Sequence, residues 1–269
     1  MGWHCGAYYE SRTGTTTYTP VAALAEDVLT TSGDDLNILS PYLDIIASFA
    51  TLSNATDLIT GAQLSAASLR GRSLAELPNL RVIAAGSAYT PGFPFQANLH
   101  MNGMQSPRRL IPNDKLNLLV RSTAATAADL ISGVVMLGDG NYANPYAGQP
   151  IETIEFSTAD AAVANTWTSQ ALTPTQTLVP GKYVIVGMES KLTTGKCARI
   201  IPNQGDVGRP GCFPTDLAVA GHGLANFRMG NMGVYTGFSS ESVPRAEVFS
   251  TAADTAATTH HYFDLVKVG

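Results

Sequence analysis

Five histidines, three cysteines and a scatter of carboxylates are the groups in this chain that could do chemistry. His4, His100, His222, His260 and His261 are the candidates for metal ligation or proton transfer. Only His260 and His261 are adjacent, at the start of an apolar run that reads as a strand. Neighbouring strand residues point to opposite faces, so this pair cannot readily chelate one ion. A metal-binding cupin-like barrel needs clustered histidines, and this spacing does not supply them.

General acid–base work needs two carboxylates on a common face. Glu152 and Glu155 stand three apart on one predicted strand and face opposite sides, while Glu10, Glu76, Glu189, Glu241 and Glu247 stand singly. Asp34-Asp35 and Asp139-Gly140-Asn141 carry the oxygens a hard cation prefers. Their setting is that of turns, where Asp and Asn serve the backbone geometry. Thr194-Gly195-Lys196-Cys197 lacks the upstream glycine of a phosphate loop, and the chain has no nucleophile elbow, zinc-protease motif or dinucleotide fingerprint. The residues therefore predict no catalytic group, no cofactor-binding group, no metal ligand and no enzyme. Trp3 and Trp167 could stack on a sugar, but Trp167 at the start of a strand fits a core or rim position better.

Cys5, Cys197 and Cys212 are too few and too odd in number for a disulfide framework. Free, partly buried thiols are expected. Cys197 and Cys212 flank a loop, and whether they pair is left open.

The composition narrows the class. Hydrophobic residues make up 45% of the 269 residues and charged residues 14%, against ~25% in an ordinary soluble domain. Two explanations stand side by side: a surface covered by other subunits, or one rich in Ser, Thr, Asn and Gln. The net charge of −5 and the small basic clusters, Arg108-Arg109 and Arg70 with Arg72, predict no strong nucleic-acid binding. No secretory leader is recognisable, and no apolar stretch is long enough for a membrane span.

The elements that would position any site are β-strands. The clearest runs are Leu80–Ala85, Leu116–Ser122, Leu130–Leu137, Ile151–Phe156, Thr166–Leu172, Tyr183–Met188, Ala198–Ile201 and Tyr262–Val268, bounded by Gly, Pro, Asn, Asp and Ser. Such a series predicts an all-β sandwich or barrel. Shorter strands are expected at Leu58–Thr60, Gln63–Leu69 and near Phe95–Met101. The glycine-rich run Phe227–Thr236 suggests a bulge or a close approach to another backbone. One helix is expected over Pro41–Leu52. Ser40 suits the N-cap and Pro41 the first turn, and Tyr42, Ile45, Ile46, Phe49 and Leu52 fall at helical spacing. Residues 1–20 read as an extended arm or edge strand. The expected organisation is an arm and helix over 1–78 and a jelly-roll domain over 79–269, with a double jelly roll as the alternative. No internal repeat of fixed period stands out.

A particular order runs through the last two thirds of the chain: Lys115–Val120, Leu130–Gly138, Trp167 with Gln170-Ala171-Leu172, and Leu178–Gly187. It continues with Ala198–Ile201, Arg209-Pro210-Gly211, Gly230–Gly237 with Phe238, and Asp264-Leu265. With Leu64–Arg70 before it, this pattern of spacings over about 60–269 resembles the jelly-roll coat proteins of tailless icosahedral bacteriophages, including environmental ones. The resemblance implies a major capsid protein that self-assembles into an icosahedral shell. Such a protein is made in the host cytoplasm and resides in the virion. Its partners would be itself and other virion proteins, with an internal virion membrane compatible. The competing expectation is a carbohydrate-binding or adhesion sandwich using the loops at 86–113, 141–150 and 203–225.

Overall fold

The computed structural model describes residues 2–52, 59–69, 108–123, 128–203, 208–215, 217 and 227–269. The fold is all-β, as the strand series predicts. The chain divides into two compact units. The N-terminal unit starts at Cys5 and ends at Asp139. The C-terminal unit comprises Gly140–Gly269 together with the start of the chain up to His4. The expected division at 78/79 is not where the units part.

The strands of the N-terminal unit are β1 (Trp3–Thr13), β2 (Thr19–Val21), β3 (Thr31–Ser32), β4 (Asp35–Asn37), β5 (Asp44–Leu52), β6 (Ile59–Ser65), β7 (Arg108–Arg109), β8 (Lys115–Ser122) and β9 (Ala128–Gly138). One sheet has the order β1-β9-β5-β7. The other is centred on β8, which is flanked by both β2 and β6 over Leu118–Val120 and pairs with β4 at Lys115 and Leu116. Strict alternation in β8 sends Leu116, Leu118, Val120 and Ser122 inward. With Leu36, Ile38, Ile131, Val135 and Leu137, the side chains of Leu116, Leu118 and Val120 fill an aliphatic core.

The C-terminal unit contains β10 (Glu152–Ser157), β11 (Trp167–Gln170), β12 (Thr173–Pro174), β13 (Lys182–Lys191), β14 (Gly195–Ile201), β15 (Gly211–Cys212), β16 (Thr236–Ser239), β17 (Arg245–Ser250) and β18 (His260–Lys267). Its sheets have the orders β12-β10-β18-β13-β16 and β11-β17-β14-β15. Leaving aside the two-residue β12, the chain crosses between two four-stranded sheets in the order of a jelly roll, an eight-stranded double Greek key.

The N-terminal unit repeats this order. Its β1-β9-β5-β7 corresponds to β10-β18-β13-β16, and its β2-β8-β6 to β11-β17-β14. Bulges fall on corresponding strands too. β5 and β13 shift register at Ile45/Ala47 and Ile185/Gly187, and β6 and β14 shift at Ile59/Gly61 and Gly195/Cys197. Two jelly-roll units in tandem, the alternative expectation, therefore take the place of a single roll with an arm, and the described residues before 78 supply strands rather than an extension.

The expected helix at Pro41–Leu52 is a strand from Asp44 onward, preceded by a turn with a cis Ser40–Pro41 bond. The bulge at Ile45/Ala47 explains the misreading. It breaks the two-residue period and buries both Ile45 and Ile46, so the apolar spacing imitates a helix. β17 was not anticipated, because Glu247 sits in its centre. The anticipated strands at Leu80–Ala85 and Phe95–Met101 lie outside the described residues.

Candidate functional site

In the C-terminal unit, β13 and β18 build a clamp for the segment Phe227–Tyr235. Gly187 stands at the β13 bulge. A Cβ there would lie 2.3 Å from Asp264 Oδ2 and 2.9 Å from the Met229 nitrogen, so only glycine lets these groups approach. Arg228 grips the Asp264 carboxylate with two donors, Nε to Oδ2 at 2.8 Å and Nη2 to Oδ1 at 2.7 Å. Its Nη1 donates to Glu189 Oε2 at 2.6 Å. The Met229 N–H and the Thr153 hydroxyl also donate to Asp264, at 2.9 and 2.7 Å. Burial pushes the Asp264 carboxyl up, but the donors from Arg228, Met229 and Thr153 outweigh it and hold the group below its usual range. The bidentate contact with Asp264 raises Arg228 further.

The clamped segment is itself braced. Tyr235 donates its hydroxyl to the Phe227 carbonyl at 3.1 Å, and Trp3 packs on both rings, at 5.1 Å from Tyr235 and 6.4 Å from Phe227. Backbone bonds run from Gly230 N–H to Val186 O and from Gly233 N–H to Gly230 O. At the tip stands Met229, with φ at 56° in the left-handed region and 71% of its surface exposed.

Two further polar clusters lie inside the same unit. His261 is fully buried between Gln170 Oε1, 3.0 Å from its Nε2, and the Ser190 hydroxyl, 2.8 Å from its Nδ1. Gln170 spends its amide nitrogen on the Asp160 carbonyl, so its oxygen accepts, the proton sits on Nε2, and Nδ1 accepts from Ser190. Burial, with a smaller contribution from the neighbouring His260, lowers His261 to about 3. His260 instead meets Glu155 at 2.7 Å on a partly exposed face. The two histidines thus separate, as their adjacency on a strand requires.

In the second cluster Arg199 lies over the Trp167 ring, 3.6 Å from its centre, and donates to Glu247 at 2.8 Å. Arg209 donates to the same carboxylate oxygen, and its backbone N–H donates to His4 Nδ1 at 3.2 Å. Trp167 is therefore a structural platform for a guanidinium. Asp254 accepts from the Thr194 N–H and hydroxyl and from the Ser250 hydroxyl. All three cysteines are buried thiols outside any disulfide. Burial pushes the Cys212 thiol well up, against the pull of its hydrogen bond to Ser190, so it is not a poised nucleophile.

The remaining feature is a cavity of about 340 Å³ beside β16, the edge strand of its sheet. Tyr183, Phe238 and Val268 give it apolar lining, and Lys182, Asn203 and Ser242 give it polar lining. Tyr183 and Phe238 stack at 5.6 Å.

Of the other sequence candidates, Asp34 lies in the β3–β4 turn and Asp35 begins β4, bonded to Asn117 and paired with Lys115. Arg109 pairs with Asp44. His100, His222, Arg70 and Arg72 lie outside the described residues, as do most of the loops proposed for sugar binding. Among the described residues, no group of three or more His, Cys, Asp and Glu could hold a metal, and no helix is long and apolar enough to cross a membrane. No family model, curated protein or solved structure matches the chain. The Arg228 clamp was not foreseen. Its only signal was the glycine-rich run at 227–236, whose close backbone approach is realised where Met229 meets Gly187 and where Gly233 meets Tyr142.

Proposed function

We propose that this chain is a coat subunit, many copies of which associate into a closed icosahedral shell as its major capsid protein. The observation that supports the reading is the tandem repetition of one jelly-roll strand order, down to bulges on corresponding strands. A jelly roll closes its sandwich with short edge strands, such as β7 and β15 with two residues each. Short edges are hard to extend by strand addition, so such units meet through flanks and loops rather than by open-ended sheet growth. The low share of charge, 14%, suits a subunit whose flanks are covered by neighbours. The ionisable groups of the C-terminal unit support the same reading, since Arg228, Arg199, Arg209, Glu247 and His261 are engaged in holding strands and loops together.

Sedimentation and negative-stain electron microscopy of the purified protein test the proposal. Closed particles, or capsomers of defined size that convert to them, are expected. A protein that stays monomeric at high concentration and forms no particles under any ionic condition would sink the idea.

A further inference from the structure

We infer that the cavity beside β16 is a binding site for a small organic monoanion, a carboxylate carried on an apolar body. The site stands whether or not copies of the chain associate, so it goes beyond the coat-subunit reading.

The tandem repeat shows that the fold itself does not require this cavity. The bulges align Ile185 of β13 with Ile45 of β5, and therefore Val184 with Asp44. Val184 stands opposite Gly237 on the β13–β16 ladder, where Asp44 stands opposite Arg109 on the β5–β7 ladder. In the N-terminal unit an ion pair occupies that position. In the C-terminal unit Val184 and Gly237 both line the cavity. The backbone does not demand glycine there. Gly237 is not at a positive φ, and a Cβ on it would meet only the Tyr183 carbonyl oxygen, at 3.7 Å, an ordinary contact. Glycine also weakens the interior of a strand. What its missing side chain does is leave the cavity open.

The lining selects the ligand. Tyr183, Val184, Phe238 and Val268 form an apolar wall. The polar groups beside it have protons to give. Among the described residues, Lys182 makes no ion pair. The Ser239 hydroxyl accepts from the Glu241 N–H, and the Ser242 hydroxyl from the Asn203 amide, so both keep a proton to donate. No carboxylate side chain is among the described lining residues. One ammonium and two hydroxyls match a single negative charge. A phosphate dianion would leave charge uncompensated in a partly apolar site. The volume, about 340 Å³, falls within the ~300–1,000 Å³ of small-ligand sites. Backbone bonds tie the walls together: Lys182 N–H to Gly269 O at 2.7 Å, Val268 N–H to Lys182 O at 2.9 Å, and Ser242 N–H to Ser239 O at 2.9 Å. Walls already ordered lose little freedom on binding.

Calorimetric titration of the full-length protein with 4-phenylbutyrate tests the site, with 4-phenylbutanamide as an uncharged probe of the same shape. The carboxylate should bind once per chain, and the amide about tenfold more weakly. Gly237→Val should abolish carboxylate binding, because the new side chain enters the cavity. Its indole fluorescence melting curve should stay at or above that of the unmodified chain, since valine suits a strand. Lys182→Gln should weaken the carboxylate about threefold to tenfold and leave the amide unchanged. That exposed substitution keeps the test decisive if Gly237→Val does not fold. Equal affinity for acid and amide, no binding of either at millimolar concentration, or carboxylate binding that survives both changes overturns the inference. A chain that forms shells but binds neither probe loses only this site. A chain that binds the carboxylate but never associates loses only the coat-subunit reading.

Discussion

In the N-terminal unit the space between the sheets is filled by Leu36, Ile38, Leu116, Leu118, Val120, Ile131, Val135 and Leu137. In the C-terminal unit, corresponding strands carry Glu189 on β13, Glu247 on β17 and Asp264 on β18. All three are nearly inaccessible and bound to Arg228, Arg199 or Arg209. One strand order is thus specified in two ways, mostly by aliphatic packing in one case and by packing plus satisfied ionic networks in the other. A buried charge is tolerable only with its partner present, so the second unit should be the more brittle of the two. Both tryptophans, Trp3 and Trp167, belong to the C-terminal unit. Indole fluorescence therefore reads chiefly that unit, while far-ultraviolet circular dichroism reads both.

Arg228→Ala tests the ionic side of the comparison and has the largest expected effect. It leaves Asp264 and Glu189, 1% and 3% accessible, without their main counter-charge. Removing one partner of a buried pair costs ~3–5 kcal/mol. The indole transition in urea should move to much lower denaturant. A shift corresponding to under 1 kcal/mol would show that the clamp is an ornament.

Leu118→Ala is the matching change on the aliphatic side. Leu118 is 1% exposed in the centre of β8, and such truncations cost ~2–5 kcal/mol through lost burial and a residual cavity. The circular dichroism transition should gain an earlier phase while the indole transition keeps its midpoint. A single transition that moves equally by both probes would mean that the units unfold as one, and the comparison would lose its energetic content.

Acid should separate the two units. In the folded chain His261 titrates at about 3, against an unfolded value near 6.5. Below pH ~6.5 the unfolded chain takes up a proton that the folded chain refuses, so stability is fully present above that pH and falls as the pH drops towards 3. Between pH 6.5 and 4.5 this amounts to ~2–3 kcal/mol for the C-terminal unit. Asp264, lowered by its donors, adds its own loss only at still lower pH, as the folded carboxyl titrates. His261→Gln should flatten the dependence over that window even if it lowers stability at pH 7. An unchanged slope would assign the acid response to another group.

The sequence made legible those strands that obey one period. β8 and β10 alternate, and β13 and β18 carry apolar stretches between turns, so their place and type could be read directly. β5 was hidden because its bulge places two isoleucines side by side. β17 was hidden because Glu247 looks like a surface residue until Arg199, 48 positions away, is brought beside it. The candidate site was less legible for the same reason. Arg228, Glu189 and Asp264 are 36–39 residues apart in the contacts they make. No local pattern couples them, and the absence of a side chain at Gly187 is informative only once β13 and β18 are paired. The double jelly roll stood only as the alternative expectation because it is a repeat of connections and bulges rather than of residues.

The mildest test asks whether an ion pair matters as much where the N-terminal unit has one. Asp44 is buried at the start of β5, but its partner Arg109, on the edge strand β7, is 63% exposed. An exposed guanidinium is screened by water and salt, so Arg109→Ala should cost only about 0.5–1 kcal/mol. The effect should shrink further in 0.5 M salt, a condition under which surface pairs are screened over a few ångströms. Arg228→Ala should keep most of its effect in the same salt, because its partners are out of solvent. The ratio of the two losses, measured by circular dichroism and by indole fluorescence at low and high salt, is the sharpest form of the comparison. Equal salt sensitivity would mean that the Arg228 clamp is wetter than its geometry implies.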